Sequence, residues 1–250
     1  MLLIAAIIAL AVTATVFAVA ASEPSAEIEM SNLSLRQNAI IKYAVSVKNL
    51  PSGATVGVDV HRFGKTGDAT FSEIAEIDGK EYYIFDVSDL SAAEMTVDVY
   101  ARPYIEKSDG NRIYGAEKKS SVLEFVYKAT GKIPGGNVLD ADTQTMLYSM
   151  LAYGAAVQDY IGENLDRPAD AQYYQVKVNE GVLANGDTSG LYLEGDRITV
   201  IANEKEDHKF LSWTNSLGNT VSTSSSYTTT VGTKNETYTA VYQKDHKDGF

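Results

Sequence analysis

The residues able to do chemistry are few in kind and scattered in position. Histidine occurs at His61, His208 and His246, each in a different part of the chain. A catalytic zinc site needs paired imidazoles at fixed spacing, and neither H-E-x-x-H nor H-x-H occurs. His61 sits beside Arg62 in an alternating stretch and His208 ends the loop EKEDH, so both read as surface positions. A Ser–His–Asp triad needs its serine on a strained turn, and G-x-S-x-G is absent. Ser189-Gly190 reads as a turn, and the run STSSS at 222–226 as strand. Cysteine is absent, which excludes disulfides, thiolate metal sites and a cysteine nucleophile. Gly131 and Gly135-Gly136 are interrupted by Pro134 and lack a following lysine at phosphate-loop spacing, so nucleotide binding is not indicated.

Carboxylates are abundant, 33 in all, and chance pairs are therefore certain. The two-carboxylate rule for glycoside hydrolysis discriminates nothing here. Asp140-Ala141-Asp142 opens like a calcium loop, but position six is Thr145 and position twelve is Leu151, where glycine and glutamate are required. Capping of a helix explains these residues better. Glu204, Glu206 and Asp207 read as a hydrated loop. No catalytic residue, metal site or cofactor is expected, and the chain reads as a non-enzyme.

Aromatic side chains are the remaining candidates. Sugar-binding modules stack pyranose rings on exposed tyrosine or tryptophan within a polar rim. Tyr82, Tyr83, Tyr173 and Tyr174 are the candidate ligand-binding residues. Each pair occupies adjacent strand positions, so one member of each must face outward. Trp213, in HKFLSWT, reads instead as a core residue.

The elements that would hold these residues are mostly strands. Residues 39–50 place Ile41, Tyr43, Val45 and Val47 on one face, and 55–63 place Val56, Val58, Val60 and Arg62 on one face. Turns follow at 51–54, at Asp78-Gly79 and at 109–111. Segments 71–77, 80–87, 95–106 and 112–129 complete a set of alternating strands, with Pro103 marking an edge or a bulge. Residues 90–95 read as one helical turn or a loop. Without βαβ spacing, this pattern predicts an antiparallel β-sandwich of immunoglobulin-like class over 27–130. After the linker GKIPGGN, apolar residues from Leu147 to Ile161 recur at three- and four-residue steps, predicting a helix over 138–165 that packs on the sandwich. Asp140 or Asp142 caps it and Gly162 ends it.

A β-rich module is expected over 172–243, with a polar tail at 244–250. Here Gly195-Asp196 precedes the strand RITVIA, Phe210 and Trp213 share a strand, and Tyr227 and Thr239-Ala240-Val241-Tyr242 follow. This order resembles the divergent internalin-type B-repeat of bacterial surface proteins over about 173–242. The resemblance implies an extracellular, modular, non-catalytic piece. Residues 27–165, with MLYSMLAYGAAVQDYIGENL, resemble the β-domain-plus-helix region of secreted proteins of Gram-positive anaerobes.

Charge and leader sequence agree with export. The net charge is −12, which repels phosphate backbones and argues against nucleic-acid binding. Residues 1–21 are apolar, end in small residues and carry Ala18-Val19-Ala20 as a cleavage motif. They read as a secretory signal peptide, with an uncleaved membrane anchor as the alternative. The expected location is extracellular or at the cell surface, with membrane contact only through an uncleaved N-terminal segment. The expected function is a secreted or surface interaction and adhesion module for an extracellular protein or glycan. The alternative is a carbohydrate-binding accessory module of a larger polysaccharide-degrading protein.

Overall fold

Period-two alternation sorts the first hundred residues into two facing sheets. The computed structural model describes residues 23–35 and 38–245. The expected leader at 1–21, and residues 246–250 of the expected tail, lie outside the described residues. The first sheet has the order β1-β2-β6-β5 and the second β4-β3-β7-β8. These strands are β1 (Ser25–Ser34), β2 (Ile40–Lys48), β3 (Thr55–Arg62), β4 (Lys65–Asp68), β5 (Thr70–Ile77), β6 (Lys80–Val87), β7 (Val99–Glu106) and β8 (Arg112–Tyr114). A further strand, β9 (Lys118–Ser120), pairs with β7 beyond the end of β8. All the pairings are antiparallel, and the order is that of an immunoglobulin-like sandwich.

Between the sheets, Ile28, Ile41, Tyr43, Val45 and Phe85 interlock with Val58, Val60, Val99, Ala101 and Ile105. Each such Val, Ile or Phe side chain stabilises the fold by about 1.5–3 kcal/mol relative to exposure. Tyr43 and Phe85 fill the core in place of a disulfide and tryptophan. Pro103 lies inside the second sheet rather than at its edge. Its missing N–H faces the break between β8 and β9, where Gly115 instead donates to the Pro103 carbonyl.

One expected strand is a helix. The stretch 112–129 does not close the sandwich as a single strand: after β8 and β9, α1 runs from Val122 to Ala129. The Ser121 side chain accepts a hydrogen bond from the Glu124 amide at 3.1 Å. Glu124 also pairs with Lys128 one turn later at 2.7 Å. Val122, Leu123, Val126 and Tyr127 are the buried face, a helical rather than an alternating set. The second helix, α2, runs from Ala141 to Ile161, with Asp140 as its N-cap and left-handed Gly162 as its C-cap.

The last third forms eight short strands: β10 (Tyr173–Asn179), β11 (Gly181–Leu183), β12 (Ser189–Leu193), β13 (Arg197–Ala202), β14 (His208–Thr214), β15 (Thr220–Ser222), β16 (Ser226–Thr230) and β17 (Glu236–Lys244). They make one sheet of order β12-β10-β17-β14-β15, with β10 and β17 parallel, and another of order β11-β13-β16. Trp213 is fully buried among Val176, Val178, Leu183, Ile198 and Val200. Its indole N–H donates to the Ser225 carbonyl at 3.2 Å.

Both helices wedge between these two β units in a core of their own. Met95 from the sandwich side, Val126 and Tyr127 from α1, Leu147 and Leu151 from α2, and Ala169 and Tyr173 from the repeat side meet there. A Cβ at Gly154 would strike Met95 and the Ala92 carbonyl, so α2 approaches the 3-10 turn Ala92–Glu94 as closely as a backbone can.

That turn is held by an ion-pair network with the buried Arg62–Glu94 pair at its centre and the exposed Asp89 and Lys65 at its edge. Arg62 Nε bonds Glu94 at 3.3 Å and its terminal nitrogen bonds Asp89 at 2.6 Å, while Lys65 reaches Glu94 at 2.9 Å. Burial by itself would raise the Glu94 carboxyl, but hydrogen bonds from the Ser91 backbone, Lys65, the Ser91 hydroxyl and Arg62 outweigh it and hold it at about 2. Its contribution to stability is therefore present above the ordinary carboxylate range near 4.5 and is lost as pH falls towards 2. Chemical denaturation of Glu94→Gln is expected to show a loss of roughly 3 kcal/mol at neutral pH. The gap to the parent chain should close between pH 4.5 and 2.

Candidate functional site

The outer face of the second sheet gathers aromatic, basic and acidic side chains that the alternation of β3 and β7 points away from the core. Strand pairing arranges them in rows. Thr66, His61, Tyr100 and Lys119 form one row across β4, β3, β7 and β9. Asp68, Asp59 and Arg102 form the next. Gly57, Tyr104 and Tyr114 form the third, and Glu106 with Arg112 the fourth.

Contacts bind the rows into one surface. The His61 and Tyr100 rings stack at 4.8 Å with 3° between planes, and His61 Nε2 lies 3.0 Å from Glu117. Arg102 lies over the Tyr114 ring at 4.6 Å and Arg112 over the Tyr104 ring at 3.9 Å. Arg112 also pairs with Asp59 at 2.9 Å and Glu106 at 2.7 Å. The Tyr114 hydroxyl donates to Asp59 at 2.8 Å, and that of Tyr104 donates to Asp68 at 3.3 Å. Burial, and then the Asp68 carboxylate, push the Tyr104 hydroxyl up to about 12. Partial desolvation and the neighbouring Asp59 raise the Asp68 carboxyl. Glycine at position 57 leaves the space in which the Tyr104 ring lies flat.

The face ends against the repeat unit. Lys119 reaches Asp187 and the Ser189 carbonyl, each at 2.7 Å. The Tyr100 hydroxyl points at the same Asp187 carboxylate at 3.5 Å. Burial and this carboxylate raise the Tyr100 hydroxyl. The repeat turn Asn185–Asp187 is thus part of the border of the sheet face.

The tyrosines singled out from sequence lie elsewhere and are not brought together. Tyr82 is 6% exposed on the outer face of the first sheet, its hydroxyl donating to Glu29 at 2.9 Å. Tyr83 is half-buried on the opposite face beside Phe71, with 52° between the rings. Tyr173 is 2% exposed in the inter-unit core, against Tyr127. Tyr174 is half-buried against the repeat core. The buried rings of Tyr82 and Tyr173 present no face to solvent. His208 is exposed, its Nδ1 2.8 Å from the Glu206 carbonyl. Among the described residues no group of three or more His, Asp or Glu is arranged to hold a metal ion, and no helix is long and apolar enough to cross a membrane.

Sequence reasoning passed over Tyr100, Arg102, Tyr104 and Tyr114, although the alternation that assigned Val58 and Val60 inward assigned Asp59 and His61 outward. The signal was the complementary half of a pattern already read.

The repeat unit carries the geometry its sequence order suggested. Gly195 is left-handed, its amide donates to the Val231 carbonyl, and Asp196 returns a carboxylate to the Leu193 amide at 2.8 Å. Phe210 packs on Trp213 and Tyr242, and Tyr227 on Tyr238. Residues 174–246 match the family model of the divergent InlB B-repeat domain. This family points to bacterial surface proteins. No curated protein and no solved structure matches the chain.

Gly57→Ala is expected to displace the Tyr104 ring and to cost about 1–3 kcal/mol. Gly67→Ala, on the neighbouring strand with open space around it, should stay within about 0.5 kcal/mol of the parent. Thermal denaturation of the two variants side by side checks this.

Proposed function

We propose that the chain is a non-enzymatic interaction module of a secreted or surface-attached bacterial protein. In this reading the outer face of the second sheet is the contact surface, and the B-repeat carries it away from the cell. The observation that carries the reading is the concentration of Tyr100, Arg102, Arg112 and Tyr114 on one sheet face, with the buried Tyr104 ring beneath Arg112. Tyrosine and arginine are the residue types that dominate binding energy in protein interfaces. The face is already ordered by its own ion pairs and ring contacts, so little side-chain entropy remains to be lost on contact.

The chemistry favours an extracellular protein over a sugar. Arginine groups cover the Tyr104 and Tyr114 rings, which meet at 62°, so the two do not form a flat stacking platform. Opposed carboxylates and guanidinium groups instead suit a partner surface carrying both signs of charge.

A panel of immobilised extracellular proteins and glycans, probed with the parent chain and with Arg102→Ala/Tyr114→Ala, tests the proposal. Binding to a protein should weaken by about tenfold or more in the double variant, at least about 1.4 kcal/mol. It should also weaken with added salt, while the melting temperature holds. Selective glycan binding lost in the same variant would replace the reading with the carbohydrate-binding accessory module. Binding equal to the parent's would remove this face from the account.

A further inference from the structure

A small cleft lies where the sandwich meets the repeat. Asp98 and Lys119 border it from the sandwich, Glu124 from α1, Arg167 from the connecting segment and Gln175 from β10. Of these, Lys119, Arg167 and Glu124 are engaged elsewhere. Lys119 bonds Asp187 and the Ser189 carbonyl, Arg167 bonds the Leu191 carbonyl at 3.2 Å, and Glu124 pairs with Lys128.

Asp98 and Gln175 are not so engaged. Gln175 is 9% exposed, and its bond to Asn235 runs through its backbone amide. Among the described residues its side-chain amide has no hydrogen-bond partner. Asp98 is half-buried, and among the described residues its carboxylate accepts no hydrogen bond. Burial raises this carboxyl, and Lys119 and Arg167 oppose the rise through charge alone. Polar groups withdrawn from bulk water in this way call for a partner.

Size and charge select that partner. The free volume of the cleft is about 20 Å³. One water needs about 10–15 Å³ on such a measure, with two to four polar neighbours, so the cleft admits one water and not two. An ion is disfavoured from both sides: a cation would face Lys119 and Arg167, and an anion would face Asp98 and Glu124.

We infer that this cleft is a binding site for a single internal water, which bridges Asp98 of the sandwich to Gln175 of the repeat. Water both donates and accepts. It gives the carboxylate the hydrogen bond it lacks, and it pairs with the glutamine amide whichever way that amide is turned. A bridge of this kind is nearly as favourable as a direct bond. It crosses the same border that Lys119 and Asp187 close directly, so the two β units share one direct charged tie and one mediated by water.

Oxygen-17 relaxation dispersion of the chain tests the inference, because it counts long-lived internal waters and is blind to exchanging side-chain protons. Gln175→Leu keeps much of the side chain's volume and removes its polar atoms, and it is expected to lower the count by one. Ser72→Ala, on the remote strand β5, is expected to leave the count unchanged. A high-resolution crystal structure of the parent chain gives a second readout that needs no variant. It should show one water within hydrogen-bonding distance of both Asp98 and Gln175. An unchanged count in folded Gln175→Leu would overturn the inference. So would a crystal structure in which Gln175 bonds Asp98 directly or the cleft is dry. Neither readout depends on the sheet face proposed above.

Discussion

A single side-chain amide joins the three parts of the molecule. Gln158 is 1% exposed and uses both ends of its amide. Its nitrogen donates to the Ala93 carbonyl at 2.9 Å and the Thr96 hydroxyl at 3.3 Å, on the sandwich side. Its oxygen accepts from the Ala169 amide at 2.9 Å, on the segment leading to the repeat. A buried amide left without partners costs about 1–3 kcal/mol per group, so this geometry is strongly selected over alternatives. Neighbouring contacts reinforce it. Asn164 also donates to Ala93, and Thr96 donates to the Arg167 carbonyl. The Tyr127 hydroxyl accepts from the Tyr173 amide and donates to the Ala171 carbonyl.

The consequence is positional. Arg62 and Glu94 fix the turn to which Gln158 bonds, and Arg62 ends the same β3 whose other residues display Asp59 and His61 outward. The core ion pair, the helix wedge and the exposed face are therefore linked through one strand. At the far side, Lys119 and Asp187 close the border between sheet and repeat, with side chains only 17% exposed. Burial raises the carboxyl of nearby Asp98 against the opposing pull of Lys119 and Arg167. A surface built this way presents its tyrosines and arginines in a fixed relation to the repeat.

Much of this was legible in the chain itself. Alternation located the sandwich core, Asp78-Gly79 located a hairpin, and Phe210 with Trp213 located the repeat core, because each rests on local periodicity or turn chemistry. The segment 122–129 was not, since VLEFVYKA alternates in charge and size well enough to pass for a strand. The deciding residue was Ser121, three positions before Glu124, a capping signature that outweighs the alternation once Lys128 pairs one turn on. The burial of Tyr82 and Tyr173 was not legible for a different reason. Adjacency shows that one ring of each pair points outward in a regular strand, but not whether another element covers it. Glu29 reaches Tyr82 from β1, and Tyr127 reaches Tyr173 from α1. Sheet order decides such contacts, and sheet order is not local.

Differential scanning calorimetry of the chain and of Gln158→Leu tests whether the sandwich, the helices and the repeat form one cooperative body. One transition is expected for the parent and two for the variant, because leucine fills the space yet leaves Ala93, Thr96 and Ala169 without their shared partner. Two independent transitions in the parent chain, unchanged by Gln158→Leu, would contradict it.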